Sequence, residues 1–495
     1  MIAIRQAALV SFLAIFLAPV AGADQEGPAT ELLPIIEGSE DTRSTPFIAW
    51  FEDLGADGYV EEEYLVSGGA SIYDYIDDVA QRPEVKIVDP DVPYTTRMLI
   101  RRPIEPARFN GTVLVEVLNA TAGWDGDPIW QSTSEYIIRS GAIWVGLSTK
   151  PVTVDFLRDS WGRPPWPTRN AERYQSLLMP EFGQVWDILS QTGALLKAAE
   201  STENPLREFS VERLLMVGYS QSAAYQVTYI NSFHEHARMP DGTAVYDGYY
   251  VSGGGARAKD VRALTPQTEN LPLGDARNLI YAAAPVVRFQ TQTEVVNFPS
   301  FPARQGDANY PLVRTYEMAG GSHVDSHLGF VGGQALVRDL GLPPSFCPSP
   351  VFDYNPIRIG YVQSALLKVL DDWAAHGASP PASRFLSLVT ENGSVSLARD
   401  ADGNAIGGVR PPEIQVPLGT YLESNQGPGF CGLFGGFASF DEATIRERYR
   451  NHGGYINRYT RAINSSIAER FLLREDARTL RTDAAGSSIG KRDAE

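Results

Sequence analysis

The sequence predicts an α/β fold, a mostly parallel sheet with helices on both faces. Two observations predict it: apolar runs of strand length recur along the chain, and amphipathic helical patterns lie between them. The runs begin with Arg-Met-Leu-Ile-Arg at residues 97–101. Residues 111–118, 142–147, 214–218, 279–287 and 312–318 follow as five more. They are short and rich in β-branched residues, as strands buried on both faces require. Between them, residues 182–199 carry Phe182, Val185, Trp186, Leu189, Leu195 and Leu196 at close to helical spacing. Residues 221–236 form a helical pattern directly after the fourth run. Residues 359–376 are amphipathic, with Gly377 as a C-terminal stop.

Several segments stand apart from the minimal sheet of this domain, which spans residues 46–391 and carries one of them as an insertion. Residues 1–23 read as an export signal: Arg5, then an apolar run from Ala7 to Leu17, then Pro19 and Ala21-Gly22-Ala23. The run is shorter than the ~20 residues of a spanning helix, so cleavage after Ala23 is expected rather than membrane anchoring. Residues 24–45 are polar and read as an N-terminal arm. Residues 151–180, rich in Pro, Arg and Trp, form an insertion expected over the active site, where its aromatics either line an apolar pocket or simply pack. Residues 392–495 form a C-terminal extension with a Gly-rich run at 427–436 and a charged helical end.

Composition is globular, 43% hydrophobic and 10% aromatic, and the formal charge is −18. That charge repels nucleic acid and anionic membrane surfaces and says little about a neutral substrate. The two cysteines, Cys347 and Cys431, have no Cys-x-x-Cys spacing, so a zinc ribbon or thioredoxin-like motif is excluded. In an exported chain they are expected to pair, the alternative being two separately buried thiols.

The chemistry is carried by Leu214-Leu215-Met216-Val217-Gly218-Tyr219-Ser220-Gln221-Ser222-Ala223-Ala224. An apolar strand runs into Gly-x-Ser-x-small and then into a helix, the setting of a nucleophilic serine on a strained turn. Ser222 stands where the motif usually has a second glycine. The alternative is a helix-capping serine at an ordinary turn. A serine nucleophile needs a base, and on such a sheet the order is Ser, acid, His. His323, in Ala319-Gly320-Gly321-Ser322-His323 after the last strand, fits, with His327 in reserve. His234 and His236 end the nucleophile's helix, ~20 Å away at ~1.5 Å per residue. His376 closes a helix, and His452 lies in the extension. Glu294 is the carboxylate expected to orient His323, with Asp307 second. The oxyanion is expected to meet the backbone N–H of Gln221 and one from Ala120 or Thr121. Asn119-Ala120-Thr121 also matches a glycosylation sequon. His323-Val324-Asp325-Ser326-His327 offers metal-ligand types without a visible full set, so no metal and no cofactor are assigned.

Ser220-Gln221-Ser222-Ala223 with Thr228-Tyr229-Ile230-Asn231, residues 316–323, and Cys431-Gly432-Leu433-Phe434-Gly435 together resemble the "alpha/beta hydrolase domain" family. The resemblance implies the α/β-hydrolase fold and carboxylic-ester hydrolysis with Ser220, an acid and His323 as triad. It names no substrate. A small-molecule or lipid-like ester is the expected substrate class. Amide or C–C bond hydrolysis by the same triad, or a non-catalytic binding scaffold, are the alternatives.

Overall fold

In the computed structural model of the protein, residues 30–36, 45–77, 80–262, 270–343, 347 and 350–491 are described. The expected export signal and most of the N-terminal arm lie outside them.

The core is a nine-stranded sheet of β1 (Glu31–Leu33), β2 (Tyr59–Tyr75), β3 (Val85–Pro103), β4 (Thr112–Val117), β5 (Ile143–Leu147), β6 (Arg213–Tyr219), β7 (Gly248–Ser252), β8 (Val286–Thr291) and β9 (Val313–Met318). Its order is β1-β2-β3-β5-β4-β6-β7-β8-β9. From β5 to β9 every pairing is parallel, while β1, β2 and β3 join antiparallel. Every residue of β4, β5, β7 and β8 is buried, which is why these strands read as continuous apolar runs rather than alternating ones.

Helices cover both faces. α1 (Pro128–Ser140) starts with proline at its first position and ends at Gly141 in the left-handed conformation. α2 (Pro151–Asp155) opens the insertion, and α3 (Val185–Lys197) follows it. α4 (Gln221–Thr228) leaves β6 directly, and α5 (Gln292–Val296) leaves β8. α6 (Ser326–Leu340) follows β9; a two-residue strand β10 (Asp353–Tyr354) and α7 (Ile359–His376) come next. α1 packs against α6 and α7. α3 meets the helical continuation of α4 through Trp186, stacked on Phe233 at 5.1 Å and 12°.

Beyond α7 run β11 (Leu388–Glu391), β12 (Ser394–Leu397), α8 (Pro412–Gln415), β13 (Gly419–Leu422), β14 (Gly436–Ser439), α9 (Glu442–Tyr449), α10 (His452–Ala468) and α11 (Arg474–Gly486). α9 to α11 build a small apolar cluster of their own around Tyr449, Tyr455, Tyr459 and Ile463. The rest of the extension is woven into the main body. β14 pairs with β10, and Met318 at the end of β9 bridges Val409. Cys347 and Cys431 form a disulfide.

Two expectations change. The fifth strand spans Val286–Thr291 rather than residues 279–287, because Pro285 precedes it and Ile280 spends its N–H on the Gln305 side chain. β2 and β3 form a long antiparallel pair of which only residues 97–101 were expected. The Glu61-Glu62-Glu63 run in β2 is paired across the sheet, with Glu61 on Arg101, Glu62 on Arg102 and Glu63 on Arg97. Arg97 and Arg101 are fully buried, and buried charges persist only when paired in this way.

Candidate active site

β6 ends at Tyr219, and Ser220 takes φ +60° and ψ −122° before α4 begins at Gln221. A non-glycine residue at that φ is strained and is held only when its surroundings over-determine it. The surroundings are tight. A Cβ on Gly218 would lie 2.9 Å from the Gln226 side chain and 3.3 Å from the Ser222 backbone. A Cβ on Gly254 would meet the Cβ of Ala223 at 2.7 Å. The Ser220 N–H donates to Ser252 O at 2.8 Å, fixing the turn to β7. Small residues around the serine are therefore a packing requirement.

Ser222, the departure from the second glycine, has its own use. Its Oγ donates to Leu118 O at 3.1 Å and accepts from Lys150 Nζ at 3.2 Å. Lys150 also donates to Leu118 O. The pair thus ties the end of β4, and the loop after it, to α4. Lys150 is fully buried, and burial pulls its ammonium down to about 7, partly opposed by Asp125. Sequence reading did not single it out; a lysine closing an apolar strand was the available signal.

His323 Nδ1 donates to Glu294 Oε1 at 2.5 Å, with Glu294 fully buried and His323 5% exposed. Glu294 is held by α5: Thr291 caps the helix, and Glu294 Oε2 accepts the Thr291 N–H in return. This capping box is legible in the sequence as Thr291-x-x-Glu294. The His323 N–H donates to Thr293 Oγ1 at 3.1 Å. Tyr219, which sequence reading passed over, donates from its hydroxyl to His323 O at 2.6 Å. The imidazole lies near two rings, 5.0 Å from Tyr219 and 5.8 Å from Phe298.

Ser220, Tyr219 and His323 line one cleft of about 180 Å³. Asn119 and Thr121 line it from the loop after β4, Gln131 of α1 adds an amide, and the rest of the wall is mostly apolar. The Ala120 N–H donates to Gln221 Oε1 at 3.2 Å, and the Thr121 N–H to Asn119 Oδ1 at 2.8 Å. Asn119 Nδ2 is engaged with Tyr219 O at 3.0 Å, so the sequon amide is part of the wall.

The remaining candidates lie elsewhere. His327 Nε2 faces Arg358 at 2.9 Å, and burial beside that cation lowers its pKa. Asp325 caps α6 through the Leu328 N–H and accepts from the Ile359 N–H, so it and His327 share the surroundings of Arg358, whereas His323 is bonded to Glu294. Asp307 accepts from Ser383 Oγ and N and pairs with Arg314. His234 meets Tyr249 Oη at 2.7 Å. In the insertion, Trp161 and Tyr174 are buried in the main core, while Phe156 and Trp166 pack against Trp124, a cleft residue.

The sequence model of a family described as "Alpha/beta hydrolase domain" matches residues 25–482. No curated protein matches the chain. Solved structures with some likeness include the methylesterase BT1017, at 10% identity and a TM-score of 0.26 over 53% of this chain and 50% of that one. This chain thus spans about half the length of that methylesterase. A lipase/esterase from Lactobacillus plantarum shows 13% identity and a TM-score of 0.27, over 45% of this chain and 86% of that one. A fungal esterase from Rhizomucor miehei shows 11% and 0.28, over 52% and 74%. Likenesses this low carry no argument about the site.

Proposed function

This chain belongs to the alpha/beta hydrolase domain family, and we propose that it is a serine hydrolase that cleaves carboxylic esters through Ser220, His323 and Glu294. The observation that carries the reading is the buried His323–Glu294 hydrogen bond of 2.5 Å, opening on the same cleft as a strained Ser220. Glu294 holds the imidazole with its Nδ1 protonated, which leaves Nε2 free to accept a proton. Ser220 Oγ attacks the ester carbonyl as His323 Nε2 takes its proton. The negative charge moves to the carbonyl oxygen, which the Gln221 N–H at the start of α4 stabilises. Of the two candidates for a second donor we assign Ala120: both N–H groups are held by side-chain amides, but the Asn119 amide that holds Thr121 is itself tied to Tyr219 O. His323 then protonates the departing alcohol, and water activated by the same imidazole frees the acyl group. No cofactor is needed for these steps.

An exported location fits the apolar N-terminal run and the Cys347–Cys431 disulfide. Among the described residues no helix is long and apolar enough to cross a membrane.

The test is covalent labelling by a fluorophosphonate, together with turnover of p-nitrophenyl esters. Wild-type protein should be labelled and active. Ser220→Ala should stay folded and lose both, with turnover down on the order of 10⁶-fold. Labelling that persists in this variant would remove Ser220 from the role.

A further inference from the structure

The cleft's apolar wall has an unexpected source. The insertion contributes none of its lining residues; three come from the extension, Phe430, Leu433 and Phe434. They flank Cys431, whose bond to Cys347 fastens this loop to the body, and Phe434 packs with both cysteines. The Val324 N–H, next to His323, donates to Leu433 O at 2.9 Å. The acid's helix is braced from the same extension, with Gln292 Nε2 donating to Tyr421 O at 3.0 Å and Thr293 Oγ1 to Glu423 O. The facing wall is α6, and it is thinned to receive the loop. A Cβ on Gly329 would sit 2.7 Å from the Phe434 ring, so the ring presses on bare backbone. Among the described residues the lining holds no Asp, Glu, Lys or Arg, in a protein with 60 acidic and 42 basic residues.

We infer that the disulfide-fastened loop carrying Phe430, Leu433 and Phe434 is the specificity wall of the cleft, and that it selects uncharged esters bearing an apolar group. The inference rests on the ester-hydrolase reading above. A carboxylate drawn into this cleft would lose its water and find no cation, a cost that an apolar chain escapes. Phe434 is 3% exposed and shapes the interior, whereas Phe430, at 42%, stands at the rim. The disulfide fastens the loop between Phe430 and Leu433, adding to the backbone hydrogen bonds of Leu433 with Val324 and Gly435 with Asn355 and to the packing of Phe434 on Tyr354.

The experiment compares p-nitrophenyl hexanoate with the p-nitrophenyl monoester of adipic acid, the same chain ending in a carboxylate. Wild-type kcat/KM should favour the hexanoate by ~100-fold, within what pocket contacts deliver. Phe430→Lys, at an exposed site that tolerates the change, should narrow that ratio ~10-fold by supplying a cation. Phe434→Ala should move the preferred acyl chain to greater length, and reducing the disulfide should raise KM for the hexanoate. An unchanged ratio in Phe430→Lys with an unchanged chain preference in Phe434→Ala overturns the inference, provided Ser220 is still labelled. Binding of 2-octanone, followed by NMR saturation transfer, reads the wall without catalysis. Weaker binding in Phe434→Ala supports the inference even if the wild type is not labelled, and equal binding overturns it.

Discussion

His323 Nδ1 lies 2.5 Å from Glu294 Oε1, and the other oxygen of that carboxylate accepts the Thr291 N–H that opens α5. One buried group thus orients the imidazole and caps the helix that carries it. A carboxylate can accept at both oxygens; an amide cannot.

Glu294→Gln therefore meets two conflicting demands. If its carbonyl serves His323, its amide group faces the Thr291 N–H; if it serves Thr291, the imidazole is pushed to the wrong tautomer. Turnover should fall ~10⁴-fold, as for the same change in other triads, with about 1 kcal/mol of stability lost from the cap. Asp307→Asn should leave turnover near wild type, since Asp307 serves Ser383 and Arg314. Steady-state kinetics on both variants decides. A large loss confined to Asp307→Asn would move the acid's role there.

Tyr219→Phe keeps the ring beside His323 and removes the hydroxyl that holds His323 O. The buried carbonyl loses a partner, so stability should drop by about 1–3 kcal/mol. The effect on rate should appear in kcat rather than KM, because the imidazole's position and not substrate contact is altered. A change in KM alone would make Tyr219 a lining residue only.

Much of this was legible because local chemistry and global fold agree at the site. An apolar strand, a Gly-x-Ser-x-small turn and a helix need only about a dozen consecutive residues, so residues 214–224 announce themselves. Glu294 was reachable by position, as the only carboxylate in residues 289–295, the turn that follows the strand before the one leading to His323. The β2–β3 pair was not legible. Its glutamates and arginines look solvated until cross-strand pairing neutralises them, and that pairing spans about 40 residues of sequence. α6 was hidden for a different reason. Gly329, Gly332 and Gly333 weaken helical propensity, and their purpose is visible only once Phe434 and Gln131 are found against Gly329 and Gly332. The extension's share of the cleft follows from contacts between residues 324 and 433, which no local pattern encodes.

The Cys347–Cys431 bond closes a loop of 84 residues. Closing so long a loop should contribute about 2–4 kcal/mol, chiefly by restricting the unfolded chain. Thiol titration of denatured, unreduced protein should find no free thiol, and reduction should lower the denaturation midpoint. Two titratable thiols would rule the bridge out.

Lys150 gives a stability prediction whose sign can be worked out. Its folded-state pKa, about 7, lies below the ordinary 10.5, so between these values the unfolded chain binds more protons than the folded one. Stability from this group therefore rises with pH from about 7 to about 10.5, and below 7 the full cost of the buried ammonium is present. The groups that act on it are Asp125 and Glu116, which favour the charged form, and Lys259, which opposes it; Tyr225 presents its ring 5.0 Å from Nζ. Glu116 is itself pushed up to about 8 by burial, and it contributes a slope of opposite sign between about 4.5 and 8. That slope is largely common to wild type and variant and cancels in their difference. Lys150→Met removes the ammonium and leaves Ser222 Oγ and Leu118 O bonded to each other, so neither is orphaned. Relative to wild type, the variant should gain stability at pH 6 compared with pH 9.5, by about 3 kcal/mol, since the lost hydrogen bonds are common to both pH values and cancel. Urea denaturation of both proteins at the two pH values measures this directly. Parallel pH profiles would mean that Lys150 titrates as an ordinary lysine and that its burial is relieved in solution.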